Sequence, residues 1–397
     1  MSDHEISAHD AAADEVSAIV EGVRQFVRRE IAPRVARLEE ADGFPQDVVD
    51  AMAGLGLFGM VIPESHGGLD LPLADYVAIM EELAAGWSAM PSFLNSHCTV
   101  ARLIALYGTE AQKARYLPQL ADGSRRGAIV LTEPSAGSDL KQIRTQAVPQ
   151  PDGSYVLNGQ KTFITNGLRA GLHIVLARAP AADGKGPISL FIVEPETPGF
   201  EVTRVIDKMG FKHVDTAELR FDDVRLGADA LLGGETGKGL PQVLSMLETG
   251  RLAMAGTALG MAREALSIAL QYAKDREAFG QPIAGHQAVQ IHLANMATQL
   301  AAARALLGEA LRHKARYGRA DMFASMAKLF ATETTMQITQ DAMRVLGGYG
   351  YVAEFPIERL YREAPIYVLT EGTNEIQRIV IAREMIKADG PERLGLV

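Results

Sequence analysis

The segment Pro151-Asp152-Gly153-Ser154-Tyr155-Val156-Leu157-Asn158-Gly159-Gln160-Lys161-Thr162-Phe163-Ile164-Thr165-Asn166-Gly167 decides the fold class. Its first three residues are a hairpin turn signal, since Asp-Gly tolerates the positive backbone angles of a tight β-turn. Two runs rich in β-branched and aromatic side chains follow, Ser154–Leu157 and Lys161–Ile164. Similar runs recur at His173–Leu176, Ile188–Val193 and Ala217–Val224. No helical stretch separates them, which excludes βαβ units and predicts a compact antiparallel β domain.

On either side the periodicity turns helical. Toward the N-terminus Val16, Ile19, Val23 and Phe26 form one apolar stripe. Pro33, Pro45, Pro63, Pro72 and Pro91 then cut the zone into short helices, with a turn at Gly67-Gly68-Leu69-Asp70. Toward the C-terminus Val289, Leu293, Met296, Leu300, Ala303, Leu307 and Leu311 make a stripe suited to the inside of a bundle. The expected fold is α+β, mostly α. It comprises an N-terminal helical domain (1–127), a middle antiparallel β domain (128–236) and a C-terminal four-helix bundle domain (237–397).

Composition narrows the function. Hydrophobic residues make up 47% and charged residues 22%, as in soluble globular proteins. The net charge, 39 − 49 = −10, argues against a general binder of nucleic acid or membrane surfaces. Cys98 is the only cysteine, so no intrachain disulfide forms and a reducing compartment is expected. Its apolar neighbours in Leu94–Val100 favour a packed thiol over a nucleophile. The N-terminus, Met1-Ser2-Asp3-His4-Glu5, carries acid where a targeting peptide carries base. No apolar run approaches the roughly 18 residues of a membrane span. A cytoplasmic protein without membrane insertion is expected.

Familiar motifs fail. Gly237-Lys238 lacks the first P-loop glycine, with Leu232 in its place, and Gly239 stands where Ser or Thr should follow. Gly348-Tyr349-Gly350-Tyr351-Val352-Ala353 fits a loose dinucleotide fingerprint but follows a helical pattern, not a strand. His286 and His292 have no second cluster of ligands, so no metal is expected. No G-x-S-x-G elbow is present.

Five segments remain. Leu131-Thr132-Glu133-Pro134-Ser135-Ala136-Gly137-Ser138-Asp139 gathers hydroxyls and a turn at the start of the β zone. Asn158–Gly167 places Phe163 and Thr165 on one face of a strand. Arg276-Glu277-Ala278-Phe279-Gly280 ends one bundle helix, and His286-Gln287 opens the next. Gly347-Gly348-Tyr349-Gly350-Tyr351 ends another, and Glu371-Gly372-Thr373-Asn374-Glu375-Ile376-Gln377-Arg378 begins the last.

In this order and spacing the segments resemble the acyl-CoA dehydrogenase family, over residues 14 to 388. The resemblance implies noncovalent FAD, its ring system wedged between the β domain and the bundle. Ile129, Leu131 and Thr132 would line the flavin, Phe163 would wall it, and Thr165 would donate near the reactive N5. Arg276, Phe279 and Gln287 would reach the FAD of a neighbouring subunit. Gly347 and Gly348 would admit backbone to the pyrophosphate or adenosine, and Arg344 would bond phosphate. Gly372, Thr373 and Glu375 complete the cofactor set.

Glu371 matches the family's catalytic base, and a carboxylate beside apolar substrate gains proton affinity. Ser138 would face the pantetheine or the FAD phosphates, and Glu248, Arg251 and Gly372 would meet the substrate along its pantetheine and acyl path. The implied reaction is α,β-dehydrogenation of a saturated acyl-CoA to the trans-2-enoyl-CoA. Glu371 takes the α-proton, hydride leaves the β-carbon, and electrons pass to an electron-transferring flavoprotein. In the family the enolate-like charge is met by the base's own backbone N–H and a ribityl hydroxyl. A homotetramer is also implied.

Plainer readings stand beside these. Thr132 and Thr165 fit ordinary strand positions, and Gly347-Gly348 fits a helix C-cap. Glu371 fits an acid favouring a helix dipole, and Glu248 with Arg251 fits an i, i+3 ion pair. Some relatives place the base immediately before the arginine, but here that residue is Gly250. Three further departures are Ala278 for a polar residue, Arg344 for Gln, and Trp87 where glutaryl-CoA dehydrogenases carry an arginine. An oxidase or nitroalkane oxidase on the same fold, and a protein that only holds FAD or acyl-CoA, are the alternatives. Acyl-CoA oxidases are usually longer and often carry a peroxisomal tail, whereas this sequence ends Gly395-Leu396-Val397.

Overall fold

The computed structural model describes residues 18–41, 43–180 and 186–387. Val16 of the first stripe, residues 1–5 and residues 395–397 lie outside the described residues. Along the chain come helices α1 (18–26), α2 (Val35–Glu40), α3 (Gln46–Gly54), α4 (Leu73–Gly86), α5 (Ala89–Tyr107) and α6 (Glu110–Ala121). Strands follow: β1 (Gly127–Val130), β2 (Gln146–Pro149), β3 (Tyr155–Thr165), β4 (Leu172–Arg178), β5 (Ile188–Val193), β6 (Phe200–Val205) and β7 (Thr216–Leu226). The remaining helices are α7 (Gly239–Asp275), α8 (Gln287–Tyr317), α9 (Asp321–Leu346), α10 (Ile357–Glu363), α11 (Pro365–Leu369) and α12 (Asn374–Lys387). Contacts sort the described residues into two compact units, one within 43–72 and 92–247, the other within 18–41, 73–91 and 248–387.

The first unit is built on a seven-stranded sheet of order β1-β4-β2-β3-β7-β6, with β5 pairing β4. Pro151-Asp152-Gly153 joins β2 to β3 as a hairpin, with Gly153 at φ 84° and Pro149 opposite Tyr155. The runs Ser154–Leu157 and Lys161–Ile164 are two halves of the single strand β3. Most pairings are antiparallel, but β1 and β2 each run parallel to β4. The excursion through β2 and β3 supplies the long connection that a parallel pair needs, so no crossover helix is required. Leu157, Val175, Phe191, Leu219 and Phe221 are among the side chains that fill the core.

β1 ends the sheet, and α5 covers its outer edge. The N–H of Gly127 donates to His97 Nδ1 at 3.2 Å, and that of Ile129 to Ser96 Oγ at 3.0 Å. His97 is fully buried, and its Nε2 sits 3.0 Å from the Phe58 carbonyl. Burial pulls its pKa down to about 4, so it stays neutral while satisfying backbone that would otherwise be orphaned.

In the second unit α4 and α7 approach closely because glycine permits it. A Cβ added at Gly260 would stand 2.2 Å from the Glu81 carbonyl oxygen, and one at Gly256 would stand 2.7 Å from Val77 Cγ1. α8 and α9 form a hairpin through Gly318 at φ 71°. The α8 stripe is buried at Met296, Leu300, Ala303 and Leu307, then passes to Ala310 in place of Leu311. A straight helix at 3.6 residues per turn drifts off a 3.5-residue repeat in this way.

Glu82 of α4 ties this unit together. It accepts from Arg24 of α1 at 3.0 Å and from Arg263 of α7 at 2.9 and 2.7 Å. Burial pushes its pKa up, but the bonds from Arg263 and Arg24 outweigh that and bring it down to about 2. The folded value lies below the usual 4.5, so the stabilisation is complete above that pH and lost as pH falls toward 2. Glu82→Gln should cost about 3 kcal/mol at neutral pH. Urea titrations from pH 7 to pH 2 should show a shallower acid loss of stability in the variant.

Candidate active site

In the sheet unit, the loop after β1 is fixed by a buried ion pair. Lys161 Nζ donates to the Leu131 carbonyl at 2.8 Å and meets Glu133 Oε1 at 3.0 Å. The Glu133 carboxylate also accepts from the N–H groups of Arg144 and Thr145, at 2.6 and 2.9 Å. Burial pulls the Lys161 ammonium down to about 8, against the opposing pull of Glu133. The Thr132 carbonyl accepts from the Thr162 N–H at 3.0 Å, which docks this loop on β3.

Thr162 and Phe163 form a bulge, since Lys161 opposes Leu219 while Ile164 already opposes Ala217. Phe163 takes φ 58° and is 66% exposed, while Ile164 is buried and Thr165 is half-buried. The bulge therefore holds a large aromatic ring off the core at a conformational cost. Ile129, Leu131 and Thr132 are half-buried, and Ser138 is exposed on the loop.

In the helical unit, Glu371 and Gly372 form a left-handed turn, at φ 54° and 80°. The last helix starts three residues later than expected, at Asn374, with Thr373 Oγ1 accepting from the Ile376 N–H at 3.4 Å. Gln377 Nε2 donates back to the Gly372 and Glu371 carbonyls at 2.8 and 3.3 Å. The Glu371 carboxylate lies against α7, where a Cβ added at Gly250 would stand 2.4 Å from Oε2.

Arg251, one residue on, is buried, with Nη1 3.4 Å from Ser325 Oγ and Nε without a hydrogen-bond partner among the described residues. Burial lowers its pKa, opposed by the charges of Asp321, Glu371 and Glu248. Lys328 of α9 is also buried, its Nζ donating to the Gly372 carbonyl at 3.0 Å and Asn374 Oδ1 at 2.8 Å.

Other expected residues are placed differently. Glu248 is buried and committed to Lys314 Nζ, at 3.2 Å, and to the Ala320 N–H that opens α9. Glu375 is exposed, 3.7 Å from Arg378. Arg344 pairs with Asp341 at 3.3 Å on its own helix. Arg276, Gly347 and Gly348 come together on a cavity of about 660 Å³ that Tyr272, Tyr349 and Phe355 also line. The Arg276 guanidinium rests 5.9 Å above the Tyr349 ring and makes no ion pair among the described residues. Added Cβ atoms at Gly347 and Gly348 would meet nothing within 4 Å.

Phe279 and Gly280, at φ 51° and 80°, are the tip of a two-residue hairpin between α7 and α8. The Phe279 ring is 95% exposed there, and Gln287, the first residue of α8, is exposed as well. Gly250 and Lys328 escaped sequence reasoning as site residues. Only the lone lysine in the apolar run Met326-Ala327-Lys328-Leu329-Phe330 signalled the second.

These pieces provide a carboxylate for a carbon acid, and a glycine-edged cavity with an uncommitted guanidinium for a phosphorylated cofactor. Comparison with known proteins gives that chemistry a family. Residues 13–124, 128–224 and 237–386 match the N-terminal, middle and C-terminal domains of acyl-CoA dehydrogenases. An acyl-CoA dehydrogenase of Bacillus subtilis (strain 168) is 41% identical over 365 residues, covering 92% of this chain and 96% of that one. The solved butyryl-CoA dehydrogenase of Megasphaera elsdenii is 35% identical, with a TM-score of 0.89 over 94% of this chain and 98% of its own. A structure solved in work on the electron transferring flavoprotein of Acidaminococcus fermentans is 38% identical, also with a TM-score of 0.89, over 94% and 98% of the two chains.

The chain belongs to the acyl-CoA dehydrogenase family. It is an oxidoreductase that acts on acyl-CoA. A flavin is the cofactor of this family, and the residues present fit one. The cavity beside Arg276 has room and a positive charge for phosphate, and Gly347 and Gly348 leave its rim open. No helix among the described residues is long and apolar enough to cross a membrane.

Gly250→Ala should move the Glu371 carboxylate, because the new methyl would overlap Oε2. A displacement of that size should slow flavin reduction by about 100-fold while flavin content holds. Stopped-flow absorbance and the visible spectrum of the purified variant check both parts.

Proposed function

We propose that the protein is an FAD-dependent dehydrogenase that converts a saturated acyl-CoA to its trans-2-enoyl-CoA, with Glu371 as the base. One observation carries the reading: Glu371 sits in a left-handed turn, its carboxylate in space that Gly250 leaves clear. A glutamate in that conformation is strained, and the surrounding structure must hold it there.

An α-hydrogen beside a thioester is weakly acidic, so its removal needs a carboxylate fixed in place. Glu371 accepts that proton on a carboxylate oxygen. Its backbone N–H is the chain's own donor for charge growing on the thioester oxygen. The buried Arg251 guanidinium favours the ionised carboxylate before the proton arrives. FAD, when bound, supplies the acceptor for hydride from the β-carbon.

Ile129, Leu131, Thr132, Phe163 and Thr165 would hold its ring. Gly347 and Gly348 would admit backbone to the pyrophosphate or adenosine, and Arg276, which lines the same cavity, would serve the FAD of a neighbouring subunit together with Phe279 and Gln287. Ser138, Arg251 and Gly372 would meet the thioester's pantetheine arm, while Glu248 acts mainly by anchoring α9. The three-part division at 127/128 and 236/237, a homotetramer, a cytoplasmic location and an electron-transferring flavoprotein as acceptor belong to the same reading.

Anaerobic mixing of the flavin-loaded protein with straight and branched acyl-CoAs tests it, read as loss of visible flavin absorbance. At least one acyl-CoA should bleach the flavin, and Glu371→Gln should slow that step by about 100- to 10,000-fold with flavin retained. Undiminished bleaching in Glu371→Gln would overturn the assignment of the base. Rapid peroxide formation in air would make the enzyme an oxidase instead.

A further inference from the structure

Lys328 is a buried cation whose counter-charge is not where a buried lysine ordinarily has it. Its side chain is fully enclosed, yet among the described residues it makes no ion pair. Its ammonium donates to two neutral oxygens, Gly372 O at 3.0 Å and Asn374 Oδ1 at 2.8 Å. An amide or hydroxyl could bond those oxygens without the several kcal/mol that enclosing a charge costs. The charge itself therefore needs an account.

The groups around it supply one. Glu371 is the strongest acid acting on it, followed by Glu375 of α12 and Glu333 of α9, while Arg251 of α7 repels it. Glu333 already binds Arg378 at 3.0 Å and Asn374 Nδ2 at 3.1 Å, and Glu375 is exposed. Glu371 is therefore the acid whose charge the buried ammonium meets most strongly. Burial brings Lys328 down to about 8 even so, which keeps it charged at neutral pH.

The mechanical role is equally specific. Gly372 O accepts from both Lys328 and Gln377, so the second residue of the left-handed turn is pinned from two helices. Asn374, the other anchor, is bonded in turn to Thr332 Oγ1 at 3.0 Å, one helical turn beyond Lys328. α9 thus grips the segment 372–374 at two levels.

We propose that Lys328 is a positioning residue for the base: it locks the Glu371–Gly372 turn through Gly372 O and presents a fixed positive charge to the Glu371 carboxylate. The inference rests on the reading of Glu371 as the base. It adds a group that acts on the base from behind, by its bond to the Gly372 carbonyl and by its charge.

The test is the reductive half-reaction of the flavin-loaded enzyme, with its best acyl-CoA, from pH 5.5 to pH 9. Lys328→Met should lower the limiting reduction rate about 10- to 100-fold, with the half-saturating acyl-CoA concentration nearly unchanged. The acid limb of its rate profile should move up by about one pH unit, because the carboxylate has lost a neighbouring cation. Lys328→Arg should restore the acid limb though not the full rate. A merely structural lysine would lower Tm and leave the acid limb in place, and that result overturns the proposal.

If Lys328→Met does not fold, Asn374→Ala decides. It removes one of the ammonium's two anchors and should slow reduction about 10-fold at constant half-saturation. A wild-type rate in that variant overturns the proposal. Failure of the wild-type enzyme to be reduced by any acyl-CoA would sink the dehydrogenase reading itself, which distinguishes the two failures.

Discussion

A non-glycine residue in the left-handed region is the constraint on which the helical unit turns. Glu371 at φ 54° costs of order 1 kcal/mol or more relative to an extended or helical residue. Such strain persists only where the surroundings over-determine it. Here Gln377 holds the carbonyls of both turn residues, Lys328 holds the second again, and Gly250 withholds the one methyl that would evict the carboxylate. These groups come from α12, α9 and α7, so three helices must be in register before the turn can exist. The close approach of α4 to α7 at Gly256 and Gly260 fixes the helix that carries Gly250 and Arg251. Stability elsewhere in the unit is thereby spent on one side chain.

The sheet unit solves a similar problem with the same residue type. Lys161, like Lys328, is buried with its ammonium on a backbone carbonyl beside the residues of interest, and burial brings both to about 8. The difference is instructive. Lys161 has Glu133 at 3.0 Å, and that carboxylate is itself saturated by two backbone N–H groups. The pair is complete and can serve geometry alone, keeping the Leu131–Thr132 loop docked on the Phe163 bulge. Among the described residues the Lys328 ammonium bonds only neutral oxygens, so its charge acts through space. A buried ion pair that satisfies itself is weak evidence for function, whereas a buried cation aimed past its hydrogen bonds is stronger evidence.

Much of the fold was legible because it follows from local chemistry. Asp152-Gly153 makes a hairpin whatever surrounds it, and the spacing of Met296, Leu300, Ala303 and Leu307 buries one face of α8. What escaped depends on distant parts of the chain. β1 and β2 are four residues long, too short to show a pattern, and β6 is a largely exposed edge strand bearing Glu201 and Arg204. The parallel pairs with β4 are a matter of topology, which no window of sequence contains. The Phe163 bulge is a register slip against β7, invisible from β3 alone. Likewise Gly250 reads as a helix residue of poor propensity until Glu371, far along the chain, is seen to occupy its missing side chain. Family resemblance located Glu371 but could not say what shapes its turn.

The same contrast bears on the acyl group. At Trp87, where glutaryl-CoA dehydrogenases carry an arginine by resemblance, the indole is fully buried and its N–H donates to Glu39. Ser88 beside it donates to Glu363, and Arg359 lies 3.8 Å from both Glu39 and Glu363. Arg359 is thus engaged by two carboxylates, and Arg362 also feels the charges of Glu363 and Glu39. A second carboxylate brought to this cluster would meet two like charges, with Arg359 already engaged by both. An uncharged tail faces no such penalty. Had the site been built for a dicarboxylate, Trp87 is the position where a cation would have to return, and the cluster of Glu39, Arg359 and Glu363 is what it would have to disrupt.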